Sequence, residues 1–168
     1  MRLVVFVALL CLAAGAQSAG AEFPFAGYIA TRQAEVASGL VFGVLGDVVR
    51  GTLADDSPIP FLPAARVGVL GRWESRRYSL SADVRHAFPQ DRVPEPVIEN
   101  DPAATATDAY TLVNLSVGAN LPVGGMVHNI TLRADNVLDE RYREATSRIK
   151  HFAWNPGRNL SLVYRLLF

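Results

Sequence analysis

Three histidines, His86, His128 and His151, are the side chains best suited to metal ligation or proton transfer near neutral pH. They lie in different segments, with no short ligand spacing between any two. No GxxxxGK[ST], GxSxG or HExxH occurs, so phosphate-cradling, nucleophile-elbow and zinc-protease chemistry have no motif here. A lipid-acting barrel enzyme would need a histidine beside a serine and an acid. His128 with Ser116 or Thr131 lacks an obvious acid. Glu140, Arg141, Arg143, Glu144 and Arg148 form a mixed-charge cluster suited to lipopolysaccharide phosphates or a ligand, though a solvated loop explains it as simply. Asn114, Asn129 and Asn159 each begin an Asn-x-Ser/Thr triplet, but all three fall inside expected strands, where glycosylation is not expected.

What must position such groups follows from composition. The chain has 168 residues, 16 Lys+Arg against 16 Asp+Glu, and only 19% charged residues. Zero net charge offers no basic stripe for nucleic acid. The single Cys11 excludes a disulfide framework and a multi-cysteine zinc site. No apolar run reaches the roughly 20 residues of a spanning helix. No catalytic residue, bound metal or cofactor is expected.

Residues 1–21 read as an export leader. Arg2 supplies the charged end, Leu3 to Ala14 the apolar run, and Ala19-Gly20-Ala21 a small-x-small cleavage site, with Ala14-Gly15-Ala16 as a second candidate. Cleavage after Ala21 would remove the only cysteine and leave residues 22–168 as one domain.

That domain reads as strands. In Asn159 to Phe168 one parity is Leu160, Leu162, Tyr164, Leu166 and Phe168, all large and apolar. Period-two alternation recurs from Val113 to Leu121, Asn129 to Asp135, Tyr78 to Arg85 and Arg66 to Trp73. Strands are expected near 23–33, 38–53, 64–74, 77–88, 108–121, 126–137 and 157–168, with 23–37 or the leader as the places to seek an eighth. Connections at 34–37, Glu74–Arg76 and Pro122–Gly125 are short. Those at 54–63, 89–107 and 138–156 are long and polar. Asp139 to Lys150 reads as a loop.

Short turns on one rim and long loops on the other are the layout of an up-and-down outer-membrane β-barrel. In a bilayer every backbone polar group must pair internally, so apolar side chains face lipid and polar ones the lumen. Arg66, Arg72, Asp83, Arg85, Arg133, Asp135 and Arg165 fall on the polar parity. Tyr28, Trp73, Tyr78, Phe88, Tyr110, Phe152, Trp154, Tyr164 and Phe168 lie near strand ends, where aromatic girdles belong. A soluble periplasmic β-sheet binding protein would alternate too, with its apolar parity inside.

Gly46 to Leu53 with Pro58-Ile-Pro60 and Pro63 to Arg66, Thr107 to Asn114, Leu132 to Tyr142, and Pro156 to Asn159 leading to Tyr164 and Phe168 resemble the C-terminal barrel portion of TonB-dependent outer-membrane receptors. Their order and spacing carry the resemblance, over roughly three quarters of the chain. It implies an all-β transmembrane barrel, partial or small, of about seven or eight strands. It implies uptake of metal chelates or similar nutrients across the Gram-negative outer membrane, and no enzymatic activity. It also implies that Tyr164, Leu166 and Phe168 form the C-terminal signature read by the barrel-assembly machinery. Thr146-Ser147, Lys150 and Pro156-Gly-Arg158 resemble the zinc- or haem-uptake branch, but Ala145 stands where a loop histidine would be sought, so no ligands are assigned.

The sequence departs from that family in showing neither a TonB-contacting box nor a plug domain. About seven strands are also too few for a 22-stranded barrel with a plugged lumen. The expectation is a barrel portion that is truncated or split and not transport-competent alone. Its partners would be membrane lipid and lipopolysaccharide, the assembly machinery, and a partner barrel fragment or a second copy covering its edges.

Overall fold

The computed structural model describes residues 25–37 and 39–168. The expected leader and its cleavage sites lie outside them. Seven strands form one antiparallel sheet in chain order: β1 (Phe25–Ala37), β2 (Leu40–Gly51), β3 (Arg66–Glu74), β4 (Tyr78–Ala87), β5 (Tyr110–Val123), β6 (Met126–Asp135) and β7 (Asn159–Leu167). Each strand pairs only with its sequence neighbours, so β1 and β7 are the edges of the described sheet. No described segment is helical.

The tight rim is built from chemistry the chain states openly. Gly124 and Gly125 both have positive φ, 60° and 79°, as the two-residue hairpin between β5 and β6 requires. Pro122 and Val123 therefore belong to β5, and the turn is narrower than the sequence suggests. Between β3 and β4, Ser75 closes its turn by donating its N–H and hydroxyl to the Tyr78 carbonyl. The expected turn at 34–37 is instead the end of β1. Gly39, with φ at 75°, takes the turning role, and a Cβ there would overlap the Glu74 carbonyl oxygen. The whole of 25–37 is one strand, so no eighth strand lies within it.

Register sorts the two faces. Val69 faces Val44 and Val84, and Leu132 faces Val117 and Leu162. On the other face, Asp83 is level with Leu70 and Asn114, and Ser116 with Ser81 and Arg133. The large apolar side chains of the first set stand exposed across β2 to β7: Phe42, Val44, Val69, Leu80, Val117, Leu132 and Leu162 among them. No second layer covers them among the described residues. An uncovered apolar surface this continuous marks a membrane or partner contact.

The small buried core lies elsewhere. Ala87, Tyr110 and Leu112 sit at the long-loop end of β4 and β5, beneath Ala64 and Ala145 from two loops, with Tyr142 packed against them. Tyr110 is therefore not a girdle residue. Residues level with Arg66 and Ala87 belong to the polar face, and Tyr110 follows Ala87 in that row. Its ring lies 4.4 Å from the Tyr142 ring, under the loops.

Candidate functional site

The polar face carries two cavities. One, about 500 Å³, opens between Leu45, Asp47, Arg66, Arg72, Asp83 and Arg85. The other, about 420 Å³, lies over Ser81, Asn114, Ser116, Thr131, Arg133 and Arg165. The seven charged residues expected on this parity all lie on it. Asp47 accepts a two-pronged contact from Arg66, with Nε 3.0 Å from Oδ1. Arg133 Nε is 2.7 Å from Asp135 Oδ1, and Arg72 pairs with Glu74. Asn129 donates to Asn120 at 2.7 Å. Polar groups thus satisfy one another along single strands and across neighbouring ones, which gives a hydrated wall rather than a dry core.

At the loop end this wall is knitted to the longest loop. Asn114 donates to Asp83 Oδ2 at 2.8 Å, and its oxygen accepts the Asn136 backbone N–H at 3.0 Å. Buried Asn136, at φ 50°, closes on Glu140 twice: its oxygen accepts the Glu140 N–H and its amide donates to the Glu140 carbonyl, both at 2.9 Å. Asn tolerates the left-handed conformation because its short side chain bonds locally. Three residues on, Asp139 Oδ1 accepts the Arg158 backbone N–H at 2.9 Å. That bond holds the Asp139 carboxyl below the usual carboxylate range. Gly157 leaves the room, since a Cβ there would crowd Asp139 Oδ1.

These contacts join the sequence blocks that carried the resemblance. Asn114 and Tyr110 come from the second, Asn136, Asp139 and Tyr142 from the third, and Arg158 from the fourth. Asp47 and Arg66 tie the two ends of the proline-rich segment in the same way.

This sheet has a counterpart among solved structures. That of "Copper transporter OprC" superposes at a TM-score of 0.74 with 15% sequence identity, over 88% of this chain and 23% of that one. The fold is that of an outer-membrane barrel wall. No protein-family model matches the sequence, and no curated protein matches it either. The chain therefore spans about a quarter of the length of the transporter it resembles. The likeness shows the barrel-wall fold, and it lends nothing to the zinc- or haem-uptake branch.

The individual candidate residues are spread out. His128 Nδ1 lies 2.7 Å from the Tyr164 hydroxyl on the apolar face, whereas Ser116 and Thr131 belong to the opposite face. His86 shares a 2.9 Å hydrogen bond with Thr111 and stacks edge-on against Phe88. His151 packs on Phe152. No three His, Cys, Asp or Glu side chains among the described residues converge on a metal site. The mixed-charge loop cluster does not pair within itself: none of the four ion pairs among the described residues joins two of its members. Arg143 stacks 4.1 Å over the Trp154 ring, and Arg148 lies over Phe61. Tyr164, Leu166 and Phe168 stand exposed on the apolar face at the end of β7.

Sequence reasoning missed the burial of Lys150. It is 1% exposed, donates to the Ala145 carbonyl at 3.0 Å and lies 5.5 Å from the Phe61 ring centre. It thus fastens the 136–158 loop to the 52–65 loop. Burial pushes the ammonium below its ordinary value of 10.5. A cation depressed in the folded state costs stability in full below its folded pKa, and the cost fades as pH rises toward 10.5. Tyr142, raised above 10.0 by burial, acts in the opposite sense only above pH 10. The loop therefore tightens between neutral pH and pH 10. The subtilisin cleavage rate of wild type relative to Lys150→Met is expected to fall severalfold from pH 7 to pH 10, the ratio cancelling the protease's own pH profile. A flat ratio removes Lys150 from this role.

Proposed function

We propose that this chain is a wall portion of an outer-membrane barrel of the TonB-dependent receptor type, exported by residues 1–21, and serving the uptake of metal chelates or similar nutrients. The observation that carries the reading is the division of the sheet's faces. Apolar side chains stand uncovered on one side, and interlocked charges and hydroxyls line the other. Lipid satisfies the first and a water-filled lumen the second. The likeness to a protein named as a copper transporter supports a metal as cargo. Neither face offers a convergent catalytic group among the described residues. A soluble binding protein would have to cover the apolar side, and nothing in the described sheet does so. We read the seven-stranded wall as insufficient for transport by itself.

Fractionation followed by gel mobility with and without boiling tests this. Recovery in the outer membrane, released only by detergent, is the expected result. Soluble periplasmic recovery overturns it. A heat-dependent band shift of the isolated chain would show a sheet that closes alone, contrary to the insufficiency proposed.

A further inference from the structure

The two rims of the wall differ in charge, and the difference concentrates in one hairpin. The segments joining β1 to β2, β3 to β4 and β5 to β6 carry only two charged residues, Arg76 and Arg77, side by side at the tip of the β3–β4 hairpin. The long connections at the other rim carry an excess of Asp and Glu over Arg and Lys. Arg76 and Arg77 are exposed, and neither belongs to the four ion pairs among the described residues. The nearest carboxylate in the chain, Glu74, is already held by Arg72.

The tip is fixed before any ligand arrives. The Tyr78 N–H donates to Ser75 Oγ at 3.0 Å, and the Asn120 N–H donates to the Arg77 carbonyl at 2.7 Å, which pins the turn to β5. Beneath it on the apolar face stand Trp73 and Tyr78, 40% and 52% exposed, with Leu80 level with Trp73. Register carries the row of Tyr78 through Ala119 and Ile130 to Tyr164, so aromatic rings mark one depth from β4 to β7. Among the tight turns, only the one above Trp73 and Tyr78 adds cations.

Amphipathic rings of this kind sit at headgroup level. That depth puts the two guanidiniums among lipid phosphates, at the edge of a low-dielectric layer where charges are weakly screened. A guanidinium presents paired N–H donors that match two phosphate oxygens. Short turns of an outer-membrane barrel lie on the periplasmic side, so the leaflet concerned is the one opposite the long loops. In a zwitterionic phospholipid the phosphate is balanced by an ammonium of the same molecule. An anionic one has no internal cation, and its charge falls to the protein. We infer that the Arg76-Arg77 tip, with Trp73 and Tyr78 below it, is a binding site for an anionic phospholipid, the arginines taking the headgroup phosphate and the rings the upper part of the acyl chains. The inference rests on the membrane reading above.

The chain has two tryptophans, so Trp154→Phe leaves Trp73 as the reporter beside the arginines. The full chain is reconstituted into vesicles of phosphatidylcholine and phosphatidylglycerol, with one or the other lipid carrying dibrominated chains, which quench tryptophan on contact. The two quenching values give the share of phosphatidylglycerol around Trp73. Each arginine near an anionic surface is worth about fivefold before screening. The expected preference over the bulk share is about five- to tenfold, and it disappears in Arg76→Gln/Arg77→Gln while quenching by phosphatidylcholine persists. A Tyr164→Trp reporter in a Trp73→Phe/Trp154→Phe background samples the same depth on β7, more than about one Debye length from the arginines, and should show less than about twofold. An undiminished preference in the glutamine variant, or an equal one at the Tyr164→Trp reporter, overturns the site. So does reversal by inorganic phosphate but not by sodium chloride of equal ionic strength, which would assign the arginines to free phosphate. Quenching of Trp73 by both lipids without preference overturns the site and leaves the membrane reading standing. Absence of quenching by either lipid overturns both.

Discussion

Leu132→Arg abolishes recovery of the chain in the outer membrane, while Thr131→Arg, one residue away, leaves it nearly unchanged. Leu132 is 48% exposed on the apolar face, between Val117 of β5 and Leu162 of β7. A guanidinium there faces hydrocarbon and costs about 2–4 kcal/mol near the midplane. That corresponds to a loss of roughly thirtyfold or more in the inserted fraction. Thr131 sits opposite Gly118 and Val163 on the polar face, beside the 420 Å³ cavity. An arginine there reaches water. Immunoblots of outer-membrane fractions at matched expression provide the measurement. The reverse pattern, with Thr131→Arg lost and Leu132→Arg kept, would mean that the apolar face is an interior.

That contrast depends on a pattern written in the residues themselves, which is why the strands were legible. Every expected strand from 38 onward overlaps an observed one with bounds within a few residues. A half-exposed strand in lipid repeats its environment every second residue, and each residue reports it locally. β1 was less plain because its alternation fails. Arg32 takes a register position level with Val44, on the parity that is apolar elsewhere. The long-loop rim was legible only as blocks. Asp47 and Arg66 are 19 positions apart, Asn114 and Asn136 are 22, and Asp139 and Arg158 are 19. No periodicity encodes such pairings. Lys150 shows the limit from the other side. A lysine in a charged loop reads as solvated, and only the closure of two loops around Phe61 and Ala145 buries it. Tyr110 was misplaced for a related reason: proximity to a strand end says nothing about which face a ring occupies.

The same rim gives the largest effect expected outside the membrane. Asn136→Leu should detach the 136–158 loop from the wall. Asn136 is 4% exposed and stands at φ 50°, a region that costs a branched apolar residue roughly 1–2 kcal/mol. The substitution also strips the part-buried Glu140 N–H and C=O of their partners, and an unsatisfied polar group costs up to about 1–3 kcal/mol as its burial becomes complete. Together these exceed what a loop held by a handful of hydrogen bonds can absorb. Tyr142 and Ala145 follow Asn136 in the chain, so losing the anchor also uncovers the Tyr110 ring and the small core around Ala87. Asn136→Asp keeps the oxygen that accepts the Glu140 N–H and tolerates the same backbone, so it should lose far less. Limited proteolysis of protein in outer-membrane fractions reads the difference. Asn136→Leu should be cut within 136–158 at least about tenfold faster than wild type, with Asn136→Asp in between and the strands intact in all three. Equal rates for the three proteins would show that the packing of Tyr110 on Tyr142 holds the loop without the asparagine. The anchor would then have to be sought in Lys150 and its contacts instead.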